Sequence, residues 1–451
     1  MTTSSRLTLE SDAPTIPGPR GREIIERDEQ VMSPSLPRSY GLVISHASGA
    51  EVWDVDENRY IDFMTGIAVT STGHCHPEVV QAIKDQAERF LHICLSDFYY
   101  DVAAQVAEKL AAIAPFKEEA QVFLSNSGAE AVEAAMKLAR YTTGRRQFIS
   151  FQGAFHGRTL GALSLTASKY SQRAGFAPFI PGVTHIPYPG AYRPVLNMGL
   201  RADYGEAVVD YIEHLFDISL DAGDVAAIVI EPILGEGGYV VPTPGFFPAL
   251  RALCDRYKIL LIADEVQSGM GRTGKWWAIE HFGVEPDIVT VAKGIASGMP
   301  LGAMIARKSL MTWEPGAHGS TFGGNPVSCA AALATLRLIE NGLMQNAAEM
   351  GDYLLNAARE LMARHPSIGD VRGKGLMIGM ELVKDHVTRE AAHDLRDAVI
   401  LHAFMNGLLL LGAGKSALRL MPPLTITRDL ADEALGILDK SLAAAEASML
   451  G

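Results

Sequence analysis

The chain has 451 residues, 48% of them hydrophobic, enough for a large core divided between two or three domains. Its net charge of -13 argues against a surface dedicated to nucleic acid or anionic lipid, both of which select clustered Lys and Arg. Four scattered cysteines (Cys75, Cys94, Cys254 and Cys329) form no C-x-x-C pair, so neither a disulfide framework nor a zinc ribbon is expected, and reduced thiols in a cytoplasm are the simplest reading.

Prolines at 14, 17, 19, 34 and 37 give residues 1–37 the look of an N-terminal arm, with no apolar targeting segment. No later stretch is expected to reach the length needed to span a bilayer. Alternation from Gly41 to Asp62 predicts antiparallel strands around a turn at Glu57-Asn58. Helical spacing follows over 77–91 and 101–112. Seven short apolar runs then appear, at 122–124, 148–151, 183–186, 225–230, 259–263, 288–292 and 301–306. Separated by helices or loops, they predict a mostly parallel α/β sheet. Helices are expected over 327–340 and 347–363. Strands at 376–382, 408–411 and 417–421, with helices at 389–406 and 430–445, then form a smaller α/β domain. The expected division is an arm to 37, an N-terminal part of the small domain over 38–76, a large domain over 77–335 and the small domain from 336 to 451.

Two of the apolar runs end on charged residues. Ile259 to Ala263 leads into Asp264, and Ile288 to Ala292 into Lys293. Ligands of an open parallel sheet sit beyond the carboxyl ends of its strands, so both side chains are expected in one crevice. A lysine that can form a Schiff base beside an acid that can hold a pyridine nitrogen protonated is what pyridoxal phosphate needs. Each residue alone is more often a cap or a solvated charge. Three more segments follow strands. Leu124-Ser-Asn-Ser-Gly-Ala-Glu-Ala131 enters a helix through a turn suited to a phosphate, or to an ordinary N-cap at Ser127. Gln152-Gly-Ala-Phe-His-Gly-Arg158 offers an aromatic face and an arginine. Glu231-Pro-Ile-Leu-Gly-Glu236-Gly-Gly places two acids among glycines. Two other motifs are decoys. Gly269 to Lys275 matches G-x-G-x-x-G and most of a P-loop, but it lies too far from its strand and has Trp276 where a P-loop needs Ser or Thr. His74-Cys75-His76 lacks a partner pair at zinc spacing and reads as a structural loop, so no metal site is expected.

Taken together, and in this order, these motifs resemble those of the class III aminotransferases, the pyridoxal-phosphate family that includes 4-aminobutyrate, ornithine and acetylornithine aminotransferases. The Gly-Ser-Thr-Phe-Gly-Gly-Asn-Pro segment at 319–326 extends the likeness, which runs from about Tyr40 to Leu438. The resemblance implies a fold-type I enzyme with a large domain on a seven-stranded, mostly parallel sheet, a smaller α/β domain, and a homodimer with active sites at the subunit interface. It implies that Lys293 carries the cofactor, Asp264 meets the ring nitrogen and Gln267 the ring hydroxyl. Ser127, Gly128 and Ala129 would hold the phosphate with Thr321 of the other subunit. Phe155 and Val266 would cover the two ring faces, with His156 and Glu231 also in the cofactor set. Ile67, Arg158, Glu236 and Arg419 would meet small amino and oxo acids. A transaminase using 4-aminobutyrate or another ω-amino donor and an acceptor such as 2-oxoglutarate ranks first. An amino-acid racemase on the same scaffold ranks second, because Ser96-Asp-Phe-Tyr-Tyr100 resembles that branch; Phe155 resembles the acetylornithine enzymes, and Leu420-Met-Pro-Pro-Leu424 the aminobutyrate ones.

Overall fold

A computed structural model describes residues 16–449. The strands in chain order are β1 (Ile44–Ser48), β2 (Glu51–Asp54), β3 (Arg59–Asp62), β4 (Ala120–Ser125), β5 (Gln147–Phe151), β6 (Val183–Ile186), β7 (Val225–Ile230), β8 (Leu260–Asp264), β9 (Ile288–Val291) and β10 (Gly302–Arg307). They continue as β11 (Ile368–Lys374), β12 (Met377–Asp385), β13 (Glu390–Ala391), β14 (Leu408–Leu409), β15 (Leu411–Ala413) and β16 (Ala417–Leu420).

All seven expected runs from 122 to 306 are strands of one sheet, in the order β4-β10-β9-β8-β7-β5-β6. β7 and β9 are buried along their whole length, which is why they read as unbroken apolar runs rather than alternating ones. The sheet is parallel except at β10, which runs against both β4 and β9. Residues 292–301 are too few for a parallel crossover, which needs about a dozen residues. The chain therefore turns back beside β9, and that turn carries Lys293.

Hairpin β1-β2-β3 forms as expected, and β14 joins β3 in parallel, tying the segment before the large sheet to the segment after it. The expected strand 408–411 is thus two strands in two sheets, since β15 pairs with β16 instead. β11, which the sequence reading omitted, pairs with β12 in an antiparallel sheet of order β11-β12-β16-β15. Its Gly369 and Gly373 interrupt the apolar pattern. The helical stretch Pro326–Arg364 has the length and apolar composition to cross a membrane, but 56% of that window is buried inside the protein.

The N-terminal arm holds an unexpected helix. Residues 1–15 of the expected arm lie outside the described residues, but Pro19–Val31 is a helix. Pro19 starts it, because the missing N–H would have no partner in a first turn. Asp56 caps it, accepting from Arg20 N at 3.2 Å and Gly21 N at 3.1 Å. The decoy glycine turn is scaffold: Arg272 is buried there and donates to the carbonyls of Leu376 and Pro422. His74 and His76 go separate ways, His74 Nε2 to Asp62 at 2.8 Å and His76 Nδ1 accepting from Glu78 N at 3.3 Å.

Candidate active site

β8 and β9 are neighbours, with Asp264 opposite Thr290, so the ends of both strands open on the same cavity. That cavity has a volume of about 400 Å³. Ser127, Gly128, Ala129, Phe155, His156, Arg158, Glu231, Asp264, Val266, Gln267 and Lys293 line it together with Val69 and Met299 to Leu301.

Asp264 is buried and fixed on both oxygens. His156 Nδ1 donates to Oδ2 at 2.7 Å and Val266 N to Oδ1 at 3.1 Å. Burial opposes a charged imidazole, but the hydrogen bond and charge of Asp264, with Glu231 beyond, outweigh it and raise the His156 pKa. His156 Nε2 is buried without a partner among the described residues. Lys293 sits at φ 49°, a left-handed backbone that a non-glycine residue adopts at a cost of about 1–3 kcal/mol. Burial lowers its pKa, opposed by Glu231 and Asp264, so the neutral, nucleophilic amine is more populated than in an exposed lysine.

The phosphate end is built by a helix start. Ser127 caps the helix Gly128–Thr143, its Oγ accepting from Glu130 N at 3.2 Å. The first-turn N–H groups of Gly128 and Ala129 have no carbonyl a turn behind them. Both residues line the cavity at the positive end of the helix, a setting that suits an anion. A side chain at 128 would put Cβ 2.8 Å from Val266 Cγ1, so glycine is required for the helix start and the Val266 segment to approach. Gln267 accepts from Tyr239 OH at 2.7 Å. Glu231, buried, accepts from Phe155 N and from Gly235 N, each at 2.8 Å, and so clamps two loops across the cavity. Burial pushes its carboxyl up to about 7.

Two arginines differ in setting. Arg158 is exposed, its guanidinium 5.5 Å from the Phe155 ring centroid, and pairs with no acid among the described residues. Arg419 is buried on β16. Its Nη1 lies 3.0 Å from Glu236 Oε2, yet neither Nη1 nor Nε has a hydrogen-bond acceptor among the described residues. Glu236 and Arg419 stand just outside the cavity lining and close enough for both charges to act on Lys293. Glu236 also meets Lys169 Nζ at 2.7 Å, a partner that nothing in the sequence marks.

Ile67 and Thr321 do not line the cavity of this chain. Ile67 is exposed within Thr65–Ala68, four successive residues of positive φ. Asp62 holds that left-handed turn, accepting from Met64 N at 2.8 Å and Thr65 N at 2.9 Å. Three non-glycine residues in this conformation cost about 1–2 kcal/mol each. Thr321 is exposed, next to Ser320, whose Oγ accepts from Asn126 Nδ2 at 3.0 Å. Tyr99, which the racemase likeness singled out, lines a larger groove of about 600 Å³ with Leu95, Phe123 and His318, away from Lys293. That groove carries no acid–amine constellation; the smaller cavity does.

The cavity fits pyridoxal phosphate on the residues alone. It has an amine, a buried acid within hydrogen-bond reach of a histidine, a helix start, and a half-buried aromatic ring and a valine in its lining.

Residues 33–442 match the family Aminotransferase class-III. The chain is 40% identical to an alanine/serine racemase of Pyrococcus horikoshii, covering 94% of this chain and 91% of that one. It is 41% identical to a 4-aminobutyrate aminotransferase of Mycobacterium tuberculosis, covering 95% and 97%. An amine transaminase from an uncultivated Pseudomonas species, solved in its pyridoxal-phosphate-bound form, superposes with a TM-score of 0.83 at 32% identity, covering 92% and 98%. The chain belongs to the class III aminotransferases, a pyridoxal-phosphate-dependent family of the α/β fold described above.

Proposed function

We infer that the chain is a transaminase that takes an amino group from an ω-amino acid such as 4-aminobutyrate and delivers it to a dicarboxylic oxo acid such as 2-oxoglutarate. The observation that carries this reading is the pair of arginines. Arg419, buried, close enough for its charge to act on Lys293 and with N–H groups unsatisfied among the described residues, suits a carboxylate next to the reacting carbon. Arg158, at the Phe155 face and without an acid partner among the described residues, suits a second carboxylate farther along the substrate. Glu236 closes Arg419 when the donor has no carboxylate beside its amine and yields it when the acceptor brings one. The likeness to a 4-aminobutyrate aminotransferase supports the same assignment.

Ser127, Gly128 and Ala129 would hold the cofactor's phosphate, Phe155 and Val266 its ring faces, Gln267 its hydroxyl, and Lys293 its aldehyde carbon. Bound there, pyridoxal phosphate supplies a ring that accepts the electrons left when the amine-bearing carbon loses a proton. Asp264, oriented by His156, would hold a proton at the ring nitrogen. Lys293 Nζ would hold the cofactor in the absence of substrate and, once the substrate amine has taken its place, would be free to take the proton from the substrate carbon and deliver it to the neighbouring position. Arg419 and Arg158 orient the substrate so that this carbon meets Lys293.

The alternative is racemisation, favoured by the likeness to an alanine/serine racemase. A racemase for small neutral amino acids needs Arg419 but leaves Arg158 without a task. The two readings separate when the holoenzyme is incubated with 4-aminobutyrate and, in parallel, with single L-amino acids, each with and without 2-oxoglutarate. Turnover that requires the oxo acid supports the transaminase; accumulation of D-isomers without any oxo acid overturns it.

A further inference from the structure

The Glu236 carboxylate stands between two cations that come from distant parts of the chain. Arg419 approaches Oε2 from inside at 3.0 Å, and Lys169 Nζ approaches Oε1 from outside at 2.7 Å. Their exposures are graded: the side chain of Arg419 is 4% exposed, Glu236 17% and Lys169 42%. Burial works to raise the Glu236 carboxyl, and Arg419 and Lys169 together outweigh it and keep it ionised.

The backbone on both sides is fixed. Glu236 O accepts from Gly414 N at 2.8 Å, and the adjacent Gly235 N is held by Glu231. On the other side Ala167 exchanges hydrogen bonds with the 153–154 turn, Ala167 N to Ala154 O at 2.8 Å and Gly153 N to Ala167 O at 2.9 Å. Any exchange of partners must therefore come from side-chain rotation. A carboxylate leaving Arg419 in so enclosed a place would lose its main counter-charge, and an unpaired, partly buried charge is costly. Lys169 removes that difficulty, because its flexible stem and three rotatable donors let it follow the carboxylate toward solvent.

Resting on the reading of Glu236 and Arg419 given above, we propose that Lys169 is a specificity-determining residue. It receives the Glu236 carboxylate when a substrate carboxylate takes Arg419, and so sets how readily the enzyme accepts substrates that carry a carboxylate beside the amine. Substrates without that group leave Glu236 on Arg419 and do not engage Lys169. The two settings of the site then differ in which cation dominates the pairing of Glu236, while its charge stays paired in both.

The test uses two unreactive probes on the holoenzyme, with dissociation constants from calorimetry. Glutarate has the two carboxylates of 2-oxoglutarate and must displace Glu236; butyrate has only the distal one and need not. Lys169→Met is expected to weaken glutarate about fivefold, the scale of a partly exposed ion pair, and to leave butyrate unchanged. Lys169→Arg is expected to restore glutarate. In turnover the Lys169→Met variant should raise KM for 2-oxoglutarate with little change for 4-aminobutyrate. Equal weakening of both probes, no weakening of glutarate, or tighter glutarate would each overturn the proposal. Glu236→Gln separates its failure from that of the underlying reading. That variant should tighten glutarate relative to butyrate. If it does so while Lys169→Met has no effect, the role of Lys169 alone falls; if the probe ratio is unmoved in Glu236→Gln, the exchange at Arg419 falls and Lys169 with it.

Discussion

Replacing Arg158 by methionine isolates the outer of the two carboxylate sites. The guanidinium is exposed, has no acidic partner among the described residues and touches the chain mainly over the Phe155 ring at 5.5 Å. Its removal therefore leaves no buried charge unpaired, and stability should change by no more than about 0.5–1 kcal/mol, the worth of an exposed cation–π contact. A substrate carboxylate bound there loses a charge-assisted hydrogen bond worth about 1.5–3 kcal/mol. The lower end applies to so exposed a group, which corresponds to about a tenfold loss. The assay compares kcat/KM for 2-oxoglutarate with that for pyruvate, which has no distal carboxylate. Arg158→Met should lower the first about tenfold and leave the second unchanged. A parallel loss for both acceptors, or none for 2-oxoglutarate, would refute the assignment of Arg158.

Three further outcomes are expected. In the parent, borohydride reduction should fix the cofactor's absorbance to the peptide containing Lys293, and Lys293→Ala should retain no fixed absorbance after the same treatment. Gly128→Ala drives a Cβ to 2.8 Å from Val266 Cγ1, an overpacking cost of about 1–3 kcal/mol that should appear as weaker cofactor affinity in an equilibrium titration. Glu265 is buried and pushed up to about 7 by burial, from 4.5. Its folded pKa is raised, so its contribution to stability is complete below about 4.5 and is lost as pH rises through 7, about 3 kcal/mol in all. Glu231 acts in the same direction and window. Urea midpoints from pH 5 to 8 should fall less steeply in Glu265→Gln than in the parent, and identical slopes would contradict the burial argument.

The sequence made the large sheet legible because strands buried on both faces are written as continuous apolar runs, and because Asp264 and Lys293 end two of them. It did not make strand direction legible: β10 reads like its neighbours and runs the other way. Prolines misled at the N-terminus, since Pro19 begins a helix rather than extending a linker. Leu408 to Leu411 reads as one strand because apolar character does not reveal that two sheets divide it. In the site, the residues that follow strands were visible one segment at a time. Their pairings were not, because contacts such as His156 with Asp264, or Glu236 with Lys169, join positions far apart in the chain. The left-handed turn at Thr65–Ala68 left only one trace, Gly66, among residues that rarely adopt that backbone.

In the reading proposed above, one cavity moves nitrogen from a donor without a carboxylate beside its amine to an acceptor that has one. The most direct measurement follows the atom itself. With ¹⁵N-labelled 4-aminobutyrate and 2-oxoglutarate, the holoenzyme should produce ¹⁵N-labelled glutamate in step with loss of the donor. Unlabelled glutamate pools, an untouched donor and D-amino acids formed from L-amino acids alone would contradict it.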